Sequence, residues 1–175
     1  MKRYFANVVP AVGGIVLALV VAIGIFVSSG AYNIGADSPH WSTTAFLINA
    51  LRERSIDVRA ESISVPRLDD PKLVLKGAGQ YSAMCVNCHL APGMENSELR
   101  KGLYPQPPNL SRAHVAPGEA FWAIKHGIKM SAMPAWGGTH DDATIWSMVA
   151  FMEKLPTMTP AKYKAIVAKA PPDLD

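Results

Sequence analysis

The chain has 175 residues, room for one domain of ordinary size plus an accessory segment, and a formal net charge of +3. Lys2 and Arg3 precede the first apolar run, all 14 acidic residues follow it, and the remainder is close to neutral. No basic run or basic-aromatic stripe occurs, which argues against nucleic acid as a partner. The only two cysteines belong to one short motif, so no disulfide framework is available.

Taken in chain order, the first feature is Val8 to Val27, uncharged and mostly aliphatic, interrupted only by Pro10, Gly13, Gly14 and Gly24. A helix of that length spans about the 30 Å hydrocarbon core of a bilayer. Lys2 and Arg3 on its N-terminal flank favour an N-inside orientation, which places everything after Ser28 across the membrane. A cleavable signal peptide is the competing reading, with Ser29-Gly30-Ala31 as a small-x-small site. The retained anchor is preferred because the apolar region of a signal is usually shorter, about 7–15 residues. Both readings export the rest of the chain.

Residues 1–30 are therefore read as a cytoplasmic tip and transmembrane anchor, and residues 31–68 as a juxtamembrane helix and linker. Ala31–Pro39 is a turn rich in small and polar residues, with Tyr32 and Trp41 near an interface where aromatics are favoured. Ser42–Arg59 has helical periodicity in Phe46, Leu47, Ala50 and Leu51, with Ser42 or Thr43 expected to cap its start. Three placements are open for this helix: on the membrane, on a neighbouring subunit, or as a spacer against the protein's own domain. Glu61–Leu68, with Pro66, reads as an extended linker.

The principal domain is expected over residues 69–158. Asp70 suits an N-cap and Pro71 the first helical position, so a helix is predicted from there to about Cys85. Gly77 inside it would cost about 1 kcal/mol relative to alanine, which close approach of another helix would explain. Gly77, Tyr81 and Cys85 recur at four-residue spacing and share one face. Between Leu90 and Ala116 the chain is rich in Pro, Gly and Asn and reads as wrapping loop, with a short helix over Glu95–Lys101. A second helix runs from Pro117 to about Lys125, and a loop follows over Gly127–Thr139. The last main helix starts at Asp141-Asp142, two acids at the positive end of its dipole, and reaches Leu155, where Pro156 stops it. Residues 159–175 form a tail with a short Lys/Ala helix and no assigned role.

Chemistry concentrates in Cys85-Val86-Asn87-Cys88-His89. C-x-x-C-H is the attachment signature of a c-type haem. Two thiols at that spacing reach the two vinyl groups of one porphyrin, and the adjacent imidazole lies under the ring as proximal ligand. A zinc site would need two further ligands and the chain has no third cysteine; a thioredoxin-like pair would follow a strand in a βαβ pattern, and none precedes Cys85. One haem c, covalently attached through Cys85 and Cys88 with His89 on the iron, is the expected cofactor. For the sixth ligand Met133 stands out, because Pro134 directly after it stiffens the loop, and Met130 competes. His40, His114, His126 and His140 read as surface or capping residues, and Met84, Met148 and Met152 as core filler. Tyr104, Arg112 and Trp136 are candidate neighbours of the propionates.

From about Asp69 to Leu155 the chain resembles a class I cytochrome c, of the membrane-anchored single-haem kind found in proteobacterial respiratory chains. The residues that carry this are Gly77…Tyr81…Cys85-x-x-Cys88-His89, Pro108-Asn109-Leu110, Gly127…Met133-Pro134 and Trp146…Val149…Phe151. The resemblance implies an all-α fold with three main helices round one haem, here preceded by a single transmembrane helix. It also implies His89 and Met133 as axial ligands and the Pro108 carbonyl as acceptor of the proximal imidazole N–H. The stretch from His89 to Pro108 is longer than in mitochondrial-type members, which leaves Pro92 as competitor for that role. The expected function is one-electron transfer between a redox-protein donor and acceptor, not catalysis, in the bacterial inner membrane with the haem domain in the periplasm. Two alternatives stand: a dedicated subunit of a membrane dehydrogenase or oxidase complex, and a haem enzyme or gas sensor with a labile distal site.

Overall fold

The structure, a computed structural model, describes residues 2–171, with side chains from residue 8 onward. All regular elements among the described residues are helical. Two units separate, Met1–His40 and Trp41–Asp175.

In the first unit, α1 covers Lys2–Ser29 with Pro10 inside it. Its stretch Val8–Ser29 is long and apolar enough to cross a membrane, and none of it is buried. Near its end the hydroxyls of Ser28 and Ser29 donate to the carbonyls of Gly24 and Phe26, both at 2.7 Å. The turn after it is closed by the Tyr32 hydroxyl and His40 Nδ1, 2.7 Å apart.

The second unit opens with α2, Ser42–Ala60. Its N-cap position is Trp41, whose side chain makes no capping hydrogen bond, so neither Ser42 nor Thr43 caps it as expected. Ser42 is already helical, beyond the position from which a hydroxyl reaches the open amides. No residue of α2 is buried, and Phe46, Leu47 and Leu51 are exposed. At its C-terminal end the Arg59 guanidinium lies 5.9 Å from the Trp122 ring centroid, so this end packs on the domain's own surface.

Helix α3, Pro71–Gln80, begins as expected: the Asp70 carboxylate accepts from Lys72 N–H at 2.9 Å and Pro71 takes the first turn. It continues through one wider turn, Tyr81–Cys85, into α4, Val86–His89. That turn, with bonds to the fifth residue, breaks the strict four-residue register before Cys85. Gly77 and Tyr81 both face the last main helix, while Cys85 packs at the edge of the same cluster. The loop beyond carries α5, Glu98–Lys101, shorter than the Glu95–Lys101 helix expected, and capped by Ser97. Then come α6, Pro117–His126, a tight turn at Trp136–Gly138, and α7, Asp142–Lys154, capped by Asp141. A turn at Leu155–Thr157 leads to α8, Pro160–Val167.

Helix α7 is the centre of the packing. On one side it meets α3 and the wider turn after it through Val74, Ala78, Tyr81, Ala150 and Phe151, with Leu155 just beyond its own end. The other side meets α6 through Phe121, Ile124, Ile145, Met148 and Val149, with the Phe121 and Trp146 rings stacked at 4.2 Å. The close approach anticipated at Gly77 is present: a Cβ there would lie 1.9 Å from the Ser147 carbonyl oxygen. Tyr163 and Ile166 of α8 also pack against the α3 side of the core.

Candidate functional site

A cleft opens between the end of the first main helix and the loop joining α6 to α7. Cys85, Cys88 and His89 line it from one side and Met133, Pro134 and Trp136 from the other, with Met84 and Pro107 completing the wall. Residues far apart in sequence are thus brought to one crevice: two thiols, an imidazole and a thioether.

The imidazole is held from behind. His89 Nδ1 lies 3.0 Å from the Pro108 carbonyl. A carbonyl only accepts, so Nδ1 carries the proton and Nε2 keeps its lone pair. Burial lowers the pKa of His89, the charge of Arg100 pushes the same way, and the Pro108 bond opposes them. The neutral ring that results is the ligand form. Of the two prolines open on sequence grounds, Pro108 supplies the carbonyl. The Leu110 N–H donates to the His89 carbonyl at 3.0 Å, tying the same segment to the motif a second time.

Burial, and then the neighbouring Cys88, push the Cys85 thiol up to about 12. Nucleophilic and thioredoxin-like cysteines are shifted downward instead. Among the described residues no group of three or more His, Cys, Asp or Glu gathers as a metal cluster.

On the opposite wall the loop is pinned to itself. Ile128 N–H donates to the Met133 carbonyl at 3.1 Å, and Met133 N–H to the Ser131 hydroxyl at 3.2 Å. Gly127 makes this possible: its φ is +64°, and a Cβ there would meet Ala135 N at 2.7 Å. Met133 packs against the α6–α7 core, whereas Met130 is 96% exposed at a φ of 58°. Of the candidate propionate neighbours only Trp136 lines the cleft. Arg112 lines a separate shallow cavity with Leu90 and Asn109, and Tyr104 lies outside both.

Several supporting contacts escaped the sequence reading. The Tyr81 hydroxyl, fully buried, donates to the Leu90 carbonyl at 2.6 Å and fixes the chain where it leaves the motif with Leu90 at a φ of 64°. The Ser97 hydroxyl donates to the Asn87 carbonyl, inside the motif itself. Arg100 donates to the Pro107 carbonyl through Nε at 3.0 Å and Nη2 at 2.8 Å. A serine before a short helix could have been read as a cap, but nothing local in the sequence names the target of Arg100.

The donor set suits a haem. The two thiols stand in the C-x-x-C-H spacing of haem attachment, the neutral imidazole is oriented by a carbonyl, and a thioether lines the opposite wall. Comparison with known proteins gives the same answer. Residues 72–152 match the family model described as Cytochrome C oxidase, cbb3-type, subunit III. No curated protein and no solved structure matches the chain.

Proposed function

Residues 72–152 being a class I cytochrome c domain, which binds haem and transfers electrons, we propose that the protein is a membrane-tethered carrier with one covalently held haem. Cys85 and Cys88 form the two thioether links, His89 is the proximal ligand, Met133 the distal ligand, and Pro108 orients the imidazole. The haem supplies a one-electron ferric/ferrous couple. The residues do the rest. With His89 and Met133 both bound to it, the haem iron would have no open site for a substrate, which argues for a carrier over a catalyst, and a thioether ligand would raise the potential.

Helix α1 anchors the chain in the bacterial inner membrane, with residues 31–175 in the periplasm, where redox proteins of a respiratory chain deliver and collect electrons. The single observation that carries this reading is the crevice that sets Cys85, Cys88 and His89 against Met133. Met133→Ala tests it: the long-wavelength charge-transfer band of the oxidised protein is expected to vanish, the potential to fall, and carbon monoxide to bind. Met130→Ala, altering an exposed side chain, is expected to leave all three unchanged. Reversal of that pattern moves the ligand to Met130. Carbon monoxide binding by the unaltered protein would overturn the carrier reading in favour of an enzyme or sensor.

A second reading, a dedicated subunit of a membrane oxidoreductase complex, is supported by the description of the matching family as an oxidase subunit and by exposed Phe46, Leu47 and Leu51 on α2. Stoichiometric co-purification of a partner after mild detergent extraction would favour it.

A further inference from the structure

We infer that Arg100 is a positioning residue for the proximal ligand: its guanidinium locks the Pro107-Pro108 backbone so that the Pro108 carbonyl stays on His89 Nδ1. The inference rests on His89 being the iron ligand. The loop from Leu90 to Pro107 is held at both ends by its own polar side chains. Ser97 ties the loop to the Asn87 carbonyl inside the C-x-x-C-H turn. The same hydroxyl caps α5 by accepting from Arg100 N–H at 3.0 Å. Helix α5 thereby directs Arg100 at the far end of its own loop. Nε and Nη2 converge on the single Pro107 carbonyl at 3.0 and 2.8 Å, and Nη1 donates to Asn96 Oδ1 at 2.8 Å.

Neither Pro107 nor Pro108 has an N–H, so this stretch cannot hold itself by backbone donors and depends on what donates to its carbonyls. Two charge-assisted bonds from a planar, always-charged group are a strong clamp of that kind. The next carbonyl along, that of Pro108, accepts from His89 Nδ1 at 3.0 Å. A carbonyl partner on the outer nitrogen of a metal-bound imidazole fixes ring orientation and raises its basicity. Loosening Pro108 would therefore leave a poorer donor on the iron, favour the ferrous state and raise the potential.

The test uses the full-length haem protein, reduced and labelled with nitrogen-15 at histidine and leucine. Solvent exchange of the His89 Nδ1 proton is compared with that of the Leu110 amide, which donates to the His89 carbonyl. Arg100→Lys keeps the charge but lacks the fork. It is expected to speed exchange at His89 Nδ1 by about tenfold or more, leave the Leu110 amide near its original rate, and raise the midpoint potential. Unchanged Nδ1 exchange and potential would overturn the inference. So would equal acceleration at both sites, which would make Arg100 a general prop of the loop. Should Arg100→Lys yield no haem protein, Arg100→Gln decides: it leaves one donor in place of the two on the Pro107 carbonyl, and faster Nδ1 exchange with the Leu110 amide near its original rate supports the clamp while the original Nδ1 rate refutes it. If the Nδ1 proton shows no haem ring-current shift in the unaltered protein, the ligand assignment fails instead, and the two failures are distinct.

Discussion

Replacing Gly77 by alanine tests the helix crossing that holds the domain together. An added Cβ would sit 1.9 Å from the Ser147 oxygen, 2.5 Å from its carbonyl carbon and 2.9 Å from Phe151 Cβ, where about 3.0 Å is the nearest approach that real Cβ atoms show. The obstacle is backbone, so no rotamer change relieves it, and α3 and α7 must part locally by about 1 Å. A gap of that size forfeits roughly a quarter to a half of the dispersion energy of the contacts it opens, here those among Ala78, Tyr81, Ala150 and Phe151. Overpacking of this kind costs about 1–3 kcal/mol, and a backbone obstacle belongs at the upper end. Alanine's better helix propensity offsets about 1 kcal/mol of that, leaving a net loss of about 2 kcal/mol. For a domain of this size that lowers the melting temperature by roughly 10 °C. Thermal unfolding of the full chain in detergent, followed at the haem absorbance so that α1 does not contribute, measures it. Gly138→Ala is the control, since nothing lies within 4 Å of its Cβ position. A Gly77→Ala protein that melts at or above the original temperature would show that propensity outweighs the clash and that the crossing is looser than described.

Other perturbations have equally definite outcomes. Tyr81→Phe removes the buried donor to the Leu90 carbonyl at 2.6 Å and is expected to cost about 1–3 kcal/mol in denaturant unfolding; an unchanged midpoint would mean that water replaces the hydroxyl. Gly127→Ala places a Cβ 2.7 Å from Ala135 N at a φ of +64°, and should weaken or abolish the long-wavelength band by displacing Met133, whereas an unaltered spectrum would refute the positioning role of Gly127. Asp141→Asn addresses pH. The Thr144 side chain, then its backbone N–H, holds the Asp141 carboxyl below the ordinary carboxylate range. A depressed value contributes stability that is complete above the unfolded value and lost as pH falls through the folded one. The original protein should melt above the asparagine variant at neutral pH, and the difference should close in strongly acid solution; a gap independent of pH would refute the assignment.

Much of this molecule was legible one residue at a time because the relevant physics is local. The cap at Asp70 with Pro71, the acids that open α7, the apolar run of α1 and the C-x-x-C-H spacing depend on neighbours within a turn or two of helix. Even the crossing at Gly77 announced itself, since a glycine inside a helix is costly unless something passes close. Other features depend on where distant backbone ends up, and no local pattern encodes that. Trp41 rather than Ser42 stands at the start of α2, the wider turn breaks the register before Cys85, and Arg100 finds the Pro107 carbonyl because α5 and the proline segment meet in space. The choice of Pro108 over Pro92 is of the same kind. The sequence determined which side chains are available to a haem, through the C-x-x-C-H spacing and the methionine-proline pair in the later loop. Only the tertiary structure decided which carbonyl holds the imidazole and which methionine faces the crevice, because those are contacts between segments joined by loops whose path is set by packing against α7.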